Sequence, residues 1–288
     1  MNENILVSIA IPLFNAEKFL SFTLDSILNQ TYKNFELIIT DDGSTDRSIE
    51  IVNLYNDPRI KLYIDGMNKG ISFRLNQQID LAKGKYFIRM DADDIMFEDR
   101  IEKQIKFLEN NPDVDVVGSS AVIIGDDNEI IGYRSAYIPK SYDEALKKST
   151  FIHPTVAGKT KWFRKYKYDE GLIGAEDFDL WLRSREFSVF QIIKEPLLFY
   201  RDPLKFKLKT YNFRLKQQRK IFSKDNYLKK NNIKQKKIIL ISYIKSFLAF
   251  SISIVGLDNY YIAKRNSNSD INMALKYEEI LKKMLTKH

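Results

Sequence analysis

Three carboxylates stand together in the first half of the chain, at Asp91, Asp93 and Asp94, directly after a short apolar segment. Like charges at this spacing repel one another, so a cation usually offsets them. Mg²⁺ and Mn²⁺ suit a site made of a few carboxylates plus the phosphate oxygens of a substrate. The same residues are equally consistent with a solvated acidic turn, in which Asp94 or Asp99 caps the following helix.

Two further acidic clusters have both a functional and a structural interpretation. Asp41 and Asp42 follow another apolar run, where a carboxylate could accept hydrogen bonds from a ribose or a base edge, or could begin a turn. Glu176, Asp177 and Asp179 stand at the start of an apolar helical segment. There they could stabilise the helix dipole, or one carboxylate that faces a cleft could act as a general base.

Alternating strands and helices are expected to place the first two clusters at one edge of a sheet. The predicted strands are 6–14, 35–40, 60–64, 86–90 and 114–124, and the predicted helices are 17–30, 46–55, 70–82 and 98–110. Four β-then-α units in a row imply a parallel sheet with helices on both faces. Ligands of such sheets bind outside the carboxyl ends of the strands, which is where these two clusters fall.

The pattern changes after residue 113. A turn at residues 125–128 predicts a hairpin between the strands 114–124 and 129–134. Residues 175–186 are predicted to form a helix and residues 189–193 a strand. We expect this half of the body to extend the sheet and to form the other side of a cleft.

Composition and motifs exclude several classes of protein. The chain has 288 residues, of which 44% are hydrophobic and 29% charged, as in a globular protein of one large domain or two ordinary ones. The absence of cysteine excludes disulfides, thiolate metal sites and a cysteine nucleophile. No G-x-G-x-x-G follows the first strand and no P-loop motif occurs, which disfavours a dinucleotide site and a P-loop. The N-terminal apolar run lacks a basic flank, so it is predicted to be a buried strand rather than a signal peptide.

Charge is distributed unevenly along the chain. Residues 1–200 have a net charge of −7 and residues 201–288 a net charge of +15. Residues 205–237 contain 13 Lys and Arg and one acid, and residues 238–257 form an apolar run interrupted by Lys245 and four serines. This combination is typical of a helix that lies on an anionic membrane surface, which we expect here rather than a span. A Lys-rich helical cap is the alternative, and no nucleic-acid partner is expected because no recognition motif accompanies the charge.

The acidic clusters belong to an ordered set of segments that resembles the family 2 glycosyltransferases, inverting sugar transferases of the GT-A fold. The matching segments are residues 7–15, 26–32, 35–39, 41–46, 68–70, 76, 84–86, 91–94 and 176–181. The resemblance implies an α/β fold with a Rossmann-like mixed sheet flanked by helices. It divides the chain into a catalytic domain, residues 1–204, and a basic helical C-terminal extension, residues 205–288. The nucleotide-sugar part would end near residue 113 and the acceptor part would occupy residues 114–204.

The resemblance implies a set of nucleotide-binding residues. They are Pro12, Phe14, Asn15, Asp41, Asp42, Arg74 and Asp91. Within this set, Asp42 matches the carboxylate that bonds the base, and Asp41 is its neighbour. Asp91 is expected near the ribose, and Arg74 is expected to face the phosphates.

The resemblance also implies the metal site and the base. Asp91 and Asp93 match the two ends of the D-x-D motif, and Asp93 would bind Mn²⁺ or Mg²⁺ beside the diphosphate. Asp177 matches the catalytic base, with Glu176 as the alternative. The base would take a proton from an acceptor hydroxyl as the hydroxyl oxygen attacks the anomeric carbon, with inversion of configuration.

Two residues are implied on the acceptor side of the cleft, His153 and Trp181. His153 matches a position that faces the acceptor, although a histidine bonded to a loop backbone is the alternative. The ring of Trp181 is expected to belong to the core rather than to form a sugar platform. Asp202 follows Arg201 at the place where many relatives carry a histidine that can join the metal.

The function implied is a metal-dependent transfer of one sugar from a nucleotide-diphosphate sugar. Among such donors a UDP-sugar is expected. The acceptor would be a hydroxyl of a glycan or lipid-linked acceptor in bacterial surface polysaccharide synthesis. The basic extension further implies that the protein is cytoplasmic and binds peripherally to the inner face of the cell membrane. Two alternatives stay open: a nucleotidyltransferase that makes nucleotide sugars, and a non-catalytic membrane or nucleic-acid binding protein with an inactive transferase body.

Overall fold

The computed structural model describes residues 5–202, 207–254 and 271–286. Its strands are β1 (Val7–Leu13), β2 (Phe35–Asp41), β3 (Ile60–Tyr63), β4 (Tyr86–Arg89), β5 (Ile95–Met96), β6 (Val116–Ile124), β7 (Ile130–Arg134), β8 (Ala157–Lys159) and β9 (Phe190–Arg201). Its helices are α1 (Leu20–Leu28), α2 (Ser48–Leu54), α3 (Ile71–Leu81), α4 (Arg100–Asn110), α5 (Tyr142–Ala145), α6 (Thr160–Tyr166), α7 (Glu176–Ser184), α8 (Leu208–Lys224), α9 (Asn226–Lys229), α10 (Asn232–Ile254), α11 (Ile271–Leu275) and α12 (Glu278–Leu285). Short 3₁₀ turns occupy His153–Thr155 and Arg185–Phe187.

The described strands form one mixed sheet in the order β3-β2-β1-β4-β8-β6-β9-β5, with β7 paired to β6. The first four of these strands are parallel, as the repeated β-then-α units predict. The short strand β8 then runs antiparallel to both of its neighbours, β4 and β6. Strand β9 is parallel to β6, and β5 is antiparallel to β9. The predicted mixed α/β sheet is therefore confirmed.

The first strands are apolar on both faces because helices cover both sides of the sheet. Ile9 on β1 is fully buried among side chains of α1 and α4. Its neighbour Ala10 points to the opposite face and packs with Leu75 and Ile79 of α3. Successive side chains of a strand alternate between faces, so a strand covered on both sides carries apolar residues on both faces.

The carboxyl ends of the parallel strands meet at one edge, as predicted. The backbone N–H of Asp42 donates to the carbonyl of Leu13 at 2.7 Å, and that of Met90 donates to Ala10 at 3.1 Å. The chain approaches β1 closely just before β4, where a Cβ on Gly84 would lie 2.5 Å from the backbone nitrogen of Ser8. These contacts bring the two acidic loops that follow β2 and β4 to the same edge.

The second half of the body differs in detail from the predicted elements. The hairpin of β6 and β7 is confirmed, but β5 and β8, of two and three residues, are too short to produce a periodic pattern. Strand β9 is longer than predicted because it continues through Pro196, where its pairing with β6 shifts in register. Proline is tolerated in strands at such irregularities.

The C-terminal extension is helical where it is described. Helix α8 packs against α7 and α10, while Ala274, Leu281 and Met284 of α11 and α12 pack with β5 and β9. The predicted boundary at residues 204–205 and the end of the apolar run at 255–257 lie outside the described residues. Among the described helices, Asn232–Ile254 alone is long and apolar enough to cross a membrane, judged by length and composition.

Candidate active site

The three aspartates after β4 form a compact carboxylate cluster. Oxygen atoms of Asp91, Asp93 and Asp94 all lie within 4.8 Å of one another. Asp94 is fully buried; its Oδ1 accepts a hydrogen bond from the backbone N–H of Arg201 at 2.9 Å, and its Oδ2 has no partner among the described atoms. No side-chain cap from Asp99 to α4 is formed. Asp91 and Asp93 are partly buried, so the cluster is a partly buried group of like charges rather than a solvated capping turn.

Burial and mutual repulsion disfavour the ionised forms of these carboxylates. Burial and the neighbouring Asp91 raise the pKa of Asp93 to about 6. The pKa of Asp94 is raised well above its ordinary value by burial and by the charges of Asp93 and Asp91. A hard divalent cation relieves such repulsion and prefers carboxylate oxygens. The donor set and the unpartnered Oδ2 of Asp94 thus fit the predicted Mn²⁺ or Mg²⁺.

Two arginines flank the cluster, and the sequence patterns did not single out either of them as a site residue. Arg89 ends β4, is almost fully buried, and donates from Nη1 to Oδ2 of Asp91 at 2.8 Å. Arg201 ends β9 and donates from Nε to the backbone carbonyl of Asp93 at 2.9 Å. An arginine at the end of an apolar strand is the signal that could have identified Arg89, because a charged group in such a place needs a partner.

The predicted base-binding carboxylate, Asp42, accepts hydrogen bonds from α3 and from the two residues that precede this helix. Its Oδ1 accepts from the backbone N–H groups of Lys69 and Gly70, at 2.7 and 3.1 Å, and from Nε of Arg74 at 2.9 Å. The Arg74 side chain is 0% exposed and also pairs with Asp65. The Arg74 guanidinium is therefore a buried counter-ion of Asp42 and Asp65, and its contact with the phosphates stays a prediction.

The remaining predicted nucleotide residues gather in the loops after β1 and β2. Asn15 has a positive φ of 47°, and its Oδ1 accepts from the backbone N–H of Thr45 at 2.8 Å. Asp41 is buried and accepts from the backbone N–H of Gly43 at 3.0 Å. Pro12 is the last-but-one residue of β1. Phe14, two residues later, is 51% exposed at this edge. The structure brings the two loops together, with one exposed aromatic ring beside them.

The carboxylates at the start of α7 are also held in a low-dielectric setting. Burial raises the pKa of Asp177, and the cations of Arg89 and Arg214 oppose that effect. Burial and the charge of Asp177 raise the pKa of Glu176, whose Oε2 has no partner among the described atoms. Asp179 instead pairs with a residue four positions further along its own helix, at 2.8 Å. Glu176 thus keeps free acceptor capacity at Oε2, whereas Asp179 is paired within its own helix.

A cavity of about 1010 Å³ joins the two carboxylate groups. Its lining includes Asp91 from the cluster, and Glu176 and Asp177 from α7. The predicted nucleotide residues of the β1 and β2 loops do not line it. The cavity therefore lies on the sugar and acceptor side of the predicted site.

His153 lines the cavity and Trp181 does not. The Nε2 atom of His153 is 2.8 Å from the hydroxyl of Tyr168, rather than bonded to a loop backbone. Burial and the nearby Arg89 hold the pKa of His153 well below its ordinary value, so the ring is neutral. Trp181 is buried behind it, stacked on Trp162 with ring centroids 5.8 Å apart. The ring of Trp181 therefore belongs to the core, and its place on the acceptor side of the cleft stays a prediction.

One wall of the cavity comes from the C-terminal extension. Arg214 and Gln218, four residues apart on α8, line the cavity. The sequence pattern connected this segment with a membrane surface or a helical cap and not with the cavity, because composition shows charge but not position.

The chain is similar in sequence to known proteins. The family described as "Glycosyl transferase family 2" matches residues 8–172. An uncharacterized glycosyltransferase of Methanocaldococcus jannaschii is 36% identical over 244 residues, covering 81% of each chain. An O-antigen biosynthesis glycosyltransferase, WbnJ of Escherichia coli, is 32% identical and covers 62% of this chain and 71% of its own.

The fold is also similar to a solved structure, that of the mannosyltransferase PcManGT from Pyrobaculum calidifontis in complex with GDP-Man and Mn²⁺. The TM-score is 0.59 at 16% identity, with 97% of this chain and 84% of that chain covered. The predicted GT-A fold is confirmed, and fold and site together define a glycosyltransferase. The chain belongs to glycosyl transferase family 2. This assignment selects a sugar transferase over a nucleotidyltransferase.

Proposed function

We propose that this chain is a divalent-metal-dependent, inverting glycosyltransferase that moves one sugar from a nucleotide-diphosphate sugar to a hydroxyl of a glycan or lipid-linked acceptor. The observation that carries this proposal is the shared cavity, which Asp91 lines from the aspartate cluster and Asp177 lines from the start of α7. A donor diphosphate at one side and an acceptor hydroxyl at the other would then meet at the anomeric carbon.

The aspartate cluster would hold the metal, with Asp93 as the principal ligand and Asp91 beside it. A bound Mn²⁺ or Mg²⁺ supplies a Lewis acid that stabilises the negative charge of a departing diphosphate. Arg89 fixes the orientation of Asp91 through the 2.8 Å bond from Nη1. Arg201 fixes the backbone of Asp93 in the same way, so both ligands are positioned before substrate binds.

Asp177 is the better candidate for the base. Both α7 carboxylates line the cavity, but only Asp177 has a described cation on each side, Arg89 and Arg214, to favour its ionised form. Asp177 would accept the proton of the acceptor hydroxyl while that oxygen forms its bond to the anomeric carbon. The bond between the anomeric carbon and the diphosphate oxygen breaks, and its electron pair leaves with the nucleoside diphosphate. Attack from the opposite face inverts the configuration.

The acceptor class rests on the similarity to an O-antigen biosynthesis glycosyltransferase and on the basic extension. Surface polysaccharides are built on lipid carriers, so an enzyme of this kind gains from being close to a membrane. We propose a UDP-sugar as the first donor to test, and a single transfer in each catalytic event.

Membrane association of residues 205–257 forms the second part of this proposal. The outer face of α10 presents apolar side chains to solvent, namely Leu240, Ile241, Tyr243, Ile244, Phe247, Leu248, Phe250 and Ile254. Its inner face is held to α8, where Arg219 donates to the hydroxyl of Ser242 at 3.1 Å. An apolar helix beside exposed lysines matches a bilayer that contains anionic lipid. This arrangement supports a helix lying on the cytoplasmic face of the membrane.

The catalytic proposal is tested by screening nucleotide sugars for hydrolysis in the presence of Mn²⁺. We expect release of a nucleoside diphosphate from one donor, and its loss in Asp93→Ala and in Asp177→Asn. Asp113→Asn, at an exposed loop carboxylate, is the matched control. Turnover that persists in both site variants would remove the catalytic assignment. An inactive transferase body would hydrolyse no donor at all.

The membrane proposal is tested by flotation with liposomes of phosphatidylglycerol and phosphatidylcholine. Phe247, on α10, is 68% exposed, and Leu54, on α2, is 78% exposed. We expect Phe247→Glu to weaken binding by about tenfold or more, because burial of an aromatic side chain contributes roughly 1.5–3 kcal/mol. Leu54→Glu should leave binding unchanged. If the wild-type chain does not co-float at low salt, the membrane assignment is wrong.

A further inference from the structure

The wall of the cavity opposite the aspartate cluster is cationic. Lys147, Lys148 and Arg214 line this wall, and all three are exposed. None of them forms an ion pair with another described residue, although the charge of Lys147 acts on Asp143 and Glu144, and Lys148 lies 4.0 Å from the centroid of the Tyr137 ring. Arg134, which also lines the cavity, pairs with Asp202 at 2.7 Å. Three cations without carboxylate partners around one opening attract an anionic ligand.

Arg214 is held in place beside the proposed base. Its Cγ lies 3.6 Å from the position that a Cβ on Gly174 would occupy, so its stem passes over the turn that leads into α7. Helix α8 is fixed against α7 by the edge-to-face contact of Phe178 with Phe222, whose ring centroids are 6.0 Å apart. The cation of Arg214 is close enough to Asp177 to lower its pKa. Arg214 and Asp177 therefore line the same part of the cavity, beside the turn that leads into α7.

These cations belong to the acceptor side rather than to the donor diphosphate. The donor's negative charge would be met at Asp91 and Asp93, through the metal that their carboxylates suit. Lys147 and Lys148 instead lie in the segment that leads to His153, and Arg214 enters from the C-terminal extension. A neutral sugar acceptor needs no such group, whereas an anionic acceptor would be attracted by all three cations.

We propose that the acceptor carries a phosphate group near its reacting hydroxyl, and that Arg214, Lys147 and Lys148 bind this phosphate. A guanidinium fork with two ammonium groups suits the several oxygens of a phosphate or phosphodiester. The inference rests on the proposed glycosyltransferase function, and it names the class of acceptor for that same site. It also gives α8 a role in substrate binding in addition to its place in the extension.

The test is a binding measurement with glycerophosphoglycerol, a phosphodiester with free hydroxyls, and with diglycerol, its neutral counterpart. Both are titrated by NMR into the full chain with Mn²⁺ and saturating inorganic pyrophosphate, which occupies a diphosphate site whatever the base of the donor. We expect the phosphodiester to bind at least about tenfold more tightly than diglycerol. Arg214→Ala should reduce that affinity by about tenfold or more, the effect expected from one charge-assisted hydrogen bond.

Lys216→Ala is the matched control, because Lys216 is an exposed cation of the same helix that does not line the cavity. Equal binding of the two probes would overturn the proposal, and so would equal losses in Arg214→Ala and Lys216→Ala. Binding of the phosphodiester only when pyrophosphate is omitted would assign these cations to the donor instead. Hydrolysis of a nucleotide sugar by the wild-type chain is measured separately, so a failure of the proposed function is distinguishable from a failure of this inference.

Discussion

Arg89 donates a hydrogen bond from Nη1 to Oδ2 of Asp91 at 2.8 Å, and its cation opposes the rise in the pKa of Asp177 that burial causes. One buried arginine on β4 thus acts on both the proposed metal cluster and the proposed base. Leaving a buried cation unpaired is costly, so the arginine and its carboxylates stabilise one another. The relationship explains how a site with five acidic groups is compatible with a folded body.

Activity should depend on the ionisation of Asp177. Burial raises the pKa of this carboxylate above the ordinary aspartate value of 3.8, and a general base works only when ionised. We therefore expect kcat to rise with pH through that raised pKa and then to level off. Asp177→Asn should lower kcat by roughly 10²–10⁴-fold and remove the acid limb from the pH profile.

Asp179→Asn is the control for this profile, because Asp179 is also on α7 with a pKa raised by burial, but it does not line the cavity. It should retain the wild-type acid limb. A profile of kcat against pH that keeps its acid limb in Asp177→Asn would assign the base to another residue, with Glu176 the first to examine.

Asp93 should destabilise the metal-free protein at neutral pH. Its pKa in the folded chain is about 6, raised from 3.8, so its ionisation opposes folding increasingly as pH rises from about 4 to about 6 and fully above that. At pH 8, without metal, Asp93→Asn should melt at a higher temperature than wild type. Below pH 4 the two should melt alike, because both side chains are then neutral.

Binding of Mn²⁺ should reverse the order of the two melting temperatures. A ligand that binds only the folded state stabilises it by about 2.7 kcal/mol at one hundred times its Kd. We expect Mn²⁺ to raise the melting temperature of wild type at pH 8 and to leave Asp93→Asn nearly unchanged. Calorimetry that shows equal metal-induced shifts in both proteins would place the metal elsewhere.

Arg74 should matter for stability more than for donor binding. Its buried guanidinium pairs with Asp42 and Asp65, and removing one partner of a buried pair typically costs 3–5 kcal/mol. Arg74→Met should lower the free energy of unfolding in urea by about that amount. Arg47→Met, which breaks an exposed pair with Glu50, should change it by less than about 0.5 kcal/mol. An unchanged unfolding curve with a raised KM for donor would support the predicted phosphate contact.

Gly84 should resist substitution because of its close approach to β1. A Cβ at this position would meet backbone atoms of Leu6 and Ser8 at 2.8 and 2.5 Å, and backbone cannot move aside as a side chain can. Gly84→Ala should lower the free energy of unfolding by about 1–3 kcal/mol. Gly171→Ala, whose nearest neighbour is the carboxylate end of Asp169, should be tolerated. Equal urea midpoints for the two variants would contradict this packing.

The sequence was sufficient for the parallel half of the sheet and for the acidic loops at its edge. Apolar runs and helical spacing are local patterns, and the carboxyl ends of parallel strands must lie together. It was not sufficient for contacts between distant residues. The bond from the backbone of Arg201 to Asp94 joins residues 107 positions apart, and Arg74 reaches Asp42 across 32 positions. No local pattern indicates such pairings.

The same limit applies to Arg214. The basic composition of its segment predicted an anionic partner but not where that partner would bind. Only the packing of α8 on α7 places this cation beside Asp177. The extension therefore belongs to the proposed active site as well as to the proposed membrane surface.

The proposed reaction is a single displacement with Asp177 as the base, and the anomeric configuration of the product distinguishes it from a double displacement. The sugar first released from an α-linked donor is followed by ¹H NMR during the initial minutes of Mn²⁺-dependent hydrolysis, before mutarotation equilibrates the anomers. We predict that the β anomer is released first by the wild-type protein, and that Asp177→Asn releases neither. Initial release of the α anomer would contradict the mechanism.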